Sequence, residues 1–218
     1  MASSKLNVKD LILTGLTLAL FGMVSVSGLA MINYATEDRI EAANAQKKID
    51  AMKELFSPLE LGFLSSFLTL EDVEGDITVV YNYEGGEEPS FETYQEVVDD
   101  PNAMLLGFVV GAGPKTGYSG LIKMIVGINA DLSLAGYRII EHNETPGLGA
   151  NMLDKTFMKA FVSSTSNRIT YDSLPASKLE YKAALGVDAL SGSTITSMAL
   201  VDGVKIAYSD LFSMLGQE

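Results

Sequence analysis

The chain has 218 residues, 47% of them hydrophobic, no cysteine, one histidine and a formal net charge of −13. Without cysteine there are no disulfides, no cysteine-ligated iron–sulfur cluster, no C-x-x-C-H haem attachment and no thiol catalysis. The lone His142 makes a zinc site a poor prospect. The acidic balance argues against nucleic acid as a partner, because binding phosphates requires clustered Lys and Arg.

Residues 11–32 carry no charge and read LILTGLTLALFGMVSVSGLAMI. A helix of this length spans roughly 33 Å at about 1.5 Å per residue, close to the ~30 Å hydrocarbon layer of a bilayer. The apolar core of a cleaved signal peptide is only about 7–15 residues, so a retained transmembrane anchor is expected. Lys5 and Lys9 precede it, and Glu37 and Asp38 follow it. That asymmetry predicts a cytoplasmic N-terminus and an extracytoplasmic bulk. Residues 39–56 carry an apolar stripe of Ile40, Ala43, Ile49, Met52, Leu55 and Phe56, which predicts a linker helix packed on the following domain. The expected division is a cytoplasmic tip and anchor over 1–36, a linker helix over 37–57 and an extracytoplasmic domain over 58–218.

Between Glu54 and Pro114 there is no lysine or arginine, while acidic residues such as Glu71, Asp72, Glu92 and Asp99 are frequent. This segment reads as a solvated face. It could also dock a basic extracytoplasmic redox protein, since charge complementarity raises association rates. Residues 76–83 (DITVVYNY) alternate as a strand does, with Gly85 and Gly86 as a turn after them. Residues 104–112 read as a buried strand. The run GAGPKTG at 111–117 lacks the spacing of a P-loop, and Pro114 interrupts any dinucleotide fingerprint. It is read as a turn between strands. Strands are expected at 121–128 and 132–141, joined by a hairpin-like connection at 129–131.

The loop HNETPGLG at 142–149 follows directly. Pro146 and the two glycines restrict and shape it, and such a loop after a strand is a common place for ligand contacts. A helix is expected at 151–162 and a short strand at 169–172. Residues 188–194 then read DALSGST. After Thr194 the apolar residues Ile195, Met198, Val201, Val204, Tyr208, Leu211 and Leu215 recur at helical spacing. A Ser-Gly-Ser-Thr turn thus opens a helix N-terminus, whose unpaired N–H groups and dipole suit a phosphate. The same residues are also ordinary helix caps. The expected fold class is α+β: a single N-terminal transmembrane helix followed by an extracytoplasmic mixed α/β domain.

Four segments together carry a resemblance: GYSGLI at 117–122, VGIN at 126–129, HNETPGLG at 142–149 and DALSGSTITS at 188–197. They resemble the FMN-binding domain family, and within it the G subunits of Rnf-type electron-transport complexes. The similarity covers most of residues 103–205. The C subunits of sodium-translocating NADH:quinone oxidoreductases share the domain, and the modest length of this chain favours the former.

The resemblance implies FMN attached covalently, through a phosphodiester, to the Thr of a D-x-x-[ST]-G-A-T motif. Thr194 holds that position, with Asp188 and Ser191 matching and Gly192 in the turn. Ser193 stands where the family usually has Ala and adds a second hydroxyl beside the acceptor; Thr196 is a third candidate. The resemblance also implies flavin contacts from Glu144, Thr145, Leu148 and Gly149, and from Tyr118 and Gly120. The motif itself holds no obvious base to activate the threonine hydroxyl. The resemblance implies a separate magnesium-dependent flavin transferase, with FAD as donor, during maturation. The implied role is an electron carrier, with no catalytic side chain of its own, in a membrane-bound ion-translocating ferredoxin-oxidising complex. Its partners would be the other membrane subunits of that complex. The alternatives are the quinone-reductase C subunit, and a flavin-free docking or anchor module whose Ser-Gly-Ser-Thr turn is only a cap.

Overall fold

A computed structural model describes residues 8–56, 65–70, 76–84, 90–162 and 169–216. Lys5 and the expected Gly85-Gly86 turn lie outside these residues, as does part of the acidic segment. The chain divides into two compact units, Met1–Gln46 and Lys47–Glu218.

Helix α1 runs without a break over Val8–Phe56. It contains no proline, and beyond the apolar stretch it is rich in Ala, Glu and Lys, which lose little conformational freedom in a helix. Its segment Ile12–Glu37 has a mean hydropathy of 1.9 and buries none of its side chains, and it is long and apolar enough to cross a bilayer. The threonines there are served by their own helix. Thr17 Oγ1 donates to the Thr14 carbonyl at 2.9 Å, and Thr36 Oγ1 to that of Ile32 at 2.9 Å. Such bonding is what a polar side chain in hydrocarbon requires.

The second unit is built on an antiparallel five-stranded sheet in sequential order: β1 (Ser65–Thr69), β2 (Ile77–Tyr83), β3 (Ala103–Ala112), β4 (Lys123–Asn129) and β5 (Leu134–Glu141). The helices are α2 (Tyr94–Asp99), α3 (Lys155–Val162), α4 (Tyr181–Leu185) and α5 (Thr194–Leu215). One sheet face presents Ile77, Val79, Phe108, Val110, Met124 and Val126, which pack with Leu200, Val204, Ala207, Tyr208 and Leu211 of α5. The other presents Val80, Leu106, Val109 and Ile125, which pack with Met52, Leu55 and Phe56 from the last turns of α1. Burial on both faces explains why β3 and β4 read as nearly continuous apolar runs rather than clean alternation. Arg138 of β5 donates to Glu54 of α1 at 3.1 Å, and this hydrogen bond holds the Glu54 carboxyl below its usual value.

Three local expectations need correction. The strand at 169–172 is absent: a 3₁₀ turn covers Tyr171–Ser173. There the Ser173 hydroxyl accepts from Thr170 N–H at 2.9 Å and donates to the Thr170 carbonyl at 2.8 Å, so local side-chain bonding displaces the extended form. Helix 151–162 is two pieces, a 3₁₀ turn over Gly149–Leu153 and then α3. The break falls at Asp154, whose carboxylate accepts from the N–H groups of Thr156 at 2.8 Å and Phe157 at 3.0 Å and so caps α3. Ile195 opens the helical stripe in sequence but lies at the surface, 54% exposed.

The packing of the last turns of α1 on the sheet yields a test. Leu55 is buried to 6% exposure, and Leu55→Ala should cost about 2–4 kcal/mol of domain stability, the usual cost of a Leu-to-Ala cavity. Leu29, 74% exposed within the apolar segment, should be indifferent to the same change. Thermal unfolding of the detergent-solubilised chain, followed by circular dichroism, checks this; equal midpoints for the two variants would contradict it.

Candidate functional site

The antiparallel register brings two connections to one end of the sheet, and the start of α5 is the third to meet there. β3 ends at Ala112 where β4 begins, and Lys123 of β4 lies opposite Glu141 at the end of β5. The β3–β4 connection and the loop after β5 therefore emerge together. α5 is held across the sheet at several points. Thr116 donates to Asp202 at 2.7 Å, and the Tyr208 hydroxyl donates to the Leu132 carbonyl at 2.9 Å. Burial and the neighbouring Tyr181 push the Tyr137 phenol above its ordinary value, and burial does the same for Tyr208, so these rings stay neutral.

The first turn of α5 is built by hydrogen bonds from two serines. Ser197 Oγ donates to the Ser193 carbonyl at 3.1 Å and accepts from Leu190 N–H at 2.9 Å. Ser193 N–H donates to the Leu190 carbonyl at 2.9 Å. Gly192 sits between them at φ +70°, a conformation that costs any residue with a Cβ. An added Cβ there would also press on Leu148 Cδ2 at 3.2 Å. Ser193 is the helix cap by position but makes no side-chain cap. The first-turn N–H groups thus have no capping oxygen among the described residues.

Glu144 ties the three connections together. It is 5% exposed. Its Oε1 accepts from Ser119 N–H at 2.9 Å, and its Oε2 accepts from Thr196 Oγ1 at 2.7 Å. Its own N–H donates to His142 Nδ1 at 3.1 Å, a backbone-shaping role for the single histidine. Glycine is required beside the carboxylate: a Cβ at Gly149 would overlap Glu144 Oε2, and one at Gly117 would lie 2.8 Å from Oε1.

Around this knot lies a cavity of about 490 Å³. Glu144, Thr145, Leu148 and Gly149 line one side, Gly192, Ser193 and Thr194 another, and Tyr118 and Ile195 complete it. Eight of the residues expected from sequence meet there. The other four lie outside its wall. Thr196 is fully buried behind it, on Glu144. Gly120 closes the 117–120 turn by donating to the Gly117 carbonyl at 3.1 Å. Ser191 is exposed in the turn before α5. Asp188 forms an exposed ion pair with Lys182 at 2.9 Å, of a kind that contributes little to stability. Ile195, Ser119 and Ser197 are additions. Ser197 had a sequence signal, a hydroxyl four residues after Ser193 on a helix. The Ser119 contact, through backbone N–H, had none.

Residues 117–209 match the FMN-binding domain model, and residues 2–55 match the RnfG N-terminal region. The chain is 30% identical to the G subunit of the Na(+)-translocating ferredoxin:NAD(+) oxidoreductase complex of Acetobacterium woodii, over 88% of this chain and 87% of that one. The chain belongs to the G-subunit family of ion-translocating oxidoreductase complexes. The G subunits of the ion-translocating oxidoreductase complexes of Pseudoalteromonas atlantica and Methanosarcina acetivorans are each 29% identical over 88% of this chain, covering 83% and 89% of theirs. Membership favours the G-subunit reading over the quinone-reductase C subunit.

The site suits the cofactor that the domain binds. The cavity falls within the roughly 300–1,000 Å³ of ordinary ligand sites. Uncapped N–H groups and a positive dipole end serve a phosphate, while Tyr118, Leu148 and Ile195 offer apolar surface to a ring system.

Proposed function

We propose that the chain is the electron-carrying G subunit of a membrane-bound, Rnf-type ion-translocating ferredoxin:NAD oxidoreductase, with FMN attached covalently to Thr194. The observation that carries the attachment site is the contrast among three neighbouring hydroxyls. Thr194 is exposed at the cavity, Ser193 is 6% exposed, and Thr196 is fully buried with its hydroxyl donated to Glu144. Only the first is open to a modifying enzyme. A flavin transferase would join the FMN phosphoryl of FAD to Thr194 Oγ1, with AMP leaving and the hydroxyl proton released. The exposed residues Asp188, Ser191, Gly192 and Thr194 support recognition by such an enzyme.

The flavin supplies the redox chemistry when bound. The chain's own residues orient it: the start of α5 offsets phosphate charge, and the loop of Glu144 to Gly149 walls the ring's side of the cavity. Attachment keeps the carrier loaded where no FMN pool exists. The anchor keeps it beside the other membrane subunits, which supply the ion path this single helix lacks. The division proposed is a cytoplasmic tip and anchor over 1–36, a linker over 37–57 and an extracytoplasmic domain over 58–218. It rests on Lys5 and Lys9 before the span and the acidic residues after it.

Two experiments test the reading. Thr194→Val, made in the full chain co-expressed with a flavin transferase, should lose in-gel flavin fluorescence after denaturation. Its stability should stay within about 0.5 kcal/mol of the parent, as for other surface changes. Ser193→Ala should stay fluorescent. A bright Thr194→Val band would contradict the assignment. For orientation, external protease should digest residues 37–218 in intact wall-free cells and spare them in inverted vesicles; the reverse pattern would overturn it.

A further inference from the structure

Glu144 is more than a staple between loops. Its two hydrogen bonds could be made by a neutral amide of the same shape, with Oε1 accepting from Ser119 and Nε2 donating to Thr196. A carboxylate costs more to bury than an amide unless it is paired. Among the described residues no lysine or arginine forms an ion pair with Glu144. Its partners are one backbone N–H and one hydroxyl. The first turn of α5, which reaches Glu144 through the Thr196 hydroxyl, is also where the positive end of the helix dipole lies. A side chain at Gly149 would overlap this group, which forms part of the cavity wall. A fixed, unpaired negative charge in a poorly hydrated wall projects its field into the cavity more strongly than a surface charge does.

We infer that Glu144 sets the redox level of the site: its carboxylate disfavours added negative charge in the cavity and so holds the potential of a flavin bound there low. This rests on the flavin occupancy proposed above. A low potential fits a carrier that takes electrons from a strongly reducing donor. The residue acts by charge and by positioning the 142–149 loop.

The test uses the full chain, loaded by co-expression with a flavin transferase and purified in detergent. Flavin midpoints are read by absorbance during a reductive titration with dithionite and mediator dyes. Glu144→Gln should shift the oxidised-to-reduced ratio at fixed potential about tenfold toward reduced, an upward shift of about 59 mV for a one-electron step. Glu144→Asp, which keeps the charge, should stay within about threefold of the parent. A Gln variant that carries flavin and titrates with the parent overturns the inference and leaves the flavin assignment standing. A parent chain that carries no flavin overturns the assignment itself, and the inference with it. If Glu144→Gln fails to load, Thr196→Val decides. It removes one donor from the same carboxylate, leaves its field less compensated and should move the midpoint downward. An unchanged or raised midpoint overturns the inference.

Discussion

The site depends on one buried carboxylate accepting from two directions. Glu144 binds Ser119 N–H in the β3–β4 connection and the Thr196 hydroxyl in the first turn of α5, from a loop that follows β5. Each connection is short of regular structure, and none has a reason of its own to meet the others. The antiparallel register delivers two of them to one end of the sheet, and the long helix α5 delivers the third. Glu144 then fixes their spacing, and the glycine at 149 is a consequence, because a Cβ there would occupy the carboxylate's place; at 117 an added Cβ would meet the Gly120 carbonyl at 2.5 Å before it met the carboxylate. Thr194 is held in the open by the same arrangement. The turn before it is tied down through Ser193, Ser197 and Leu190, and of the hydroxyls at 193, 194 and 196 only that of Thr194 is on an exposed residue.

The end of α1 belongs to the packing of the domain itself. Its last turns supply Met52, Leu55 and Phe56 to the core on one sheet face, while α5 covers the other. A sheet buried on both faces resists slippage, since a one-residue shift would exchange two apolar surfaces with different partners. That rigidity matters to a carrier, whose cofactor must stay at a fixed place relative to the elements that hold it.

Much of this was legible in the chain. The apolar run at 11–32, the strands near 76–83, 104–112, 121–128 and 132–141 and the helix after Thr194 follow from composition and period alone. The misreadings have local causes. Thr170 and Ser173 bond each other, and Asp154 caps a new helix, so side-chain oxygens overrode an otherwise apolar pattern. α2 announces itself by a Thr93–Glu96 capping box that a propensity reading passes over. Ile195 fits the helical stripe, yet the helix starts at the cavity, so its first apolar residue faces ligand space rather than core. The convergence on Glu144 was not legible. Thr196 is 52 residues from it and Ser119 is 25, and one of the two bonds is donated by a backbone N–H rather than a side chain. The GYSG and HNETPGLG segments pointed to the site through resemblance, without showing why the glycines are needed.

The central claim is that Thr194 carries FMN. Peptide mass mapping of the full chain, purified after co-expression with a flavin transferase, tests it most directly. The account predicts an FMN-phosphoryl adduct on the peptide spanning the start of α5, with fragment ions assigning it to Thr194. An unmodified peptide, or an adduct on Ser193 or Thr196, would contradict it.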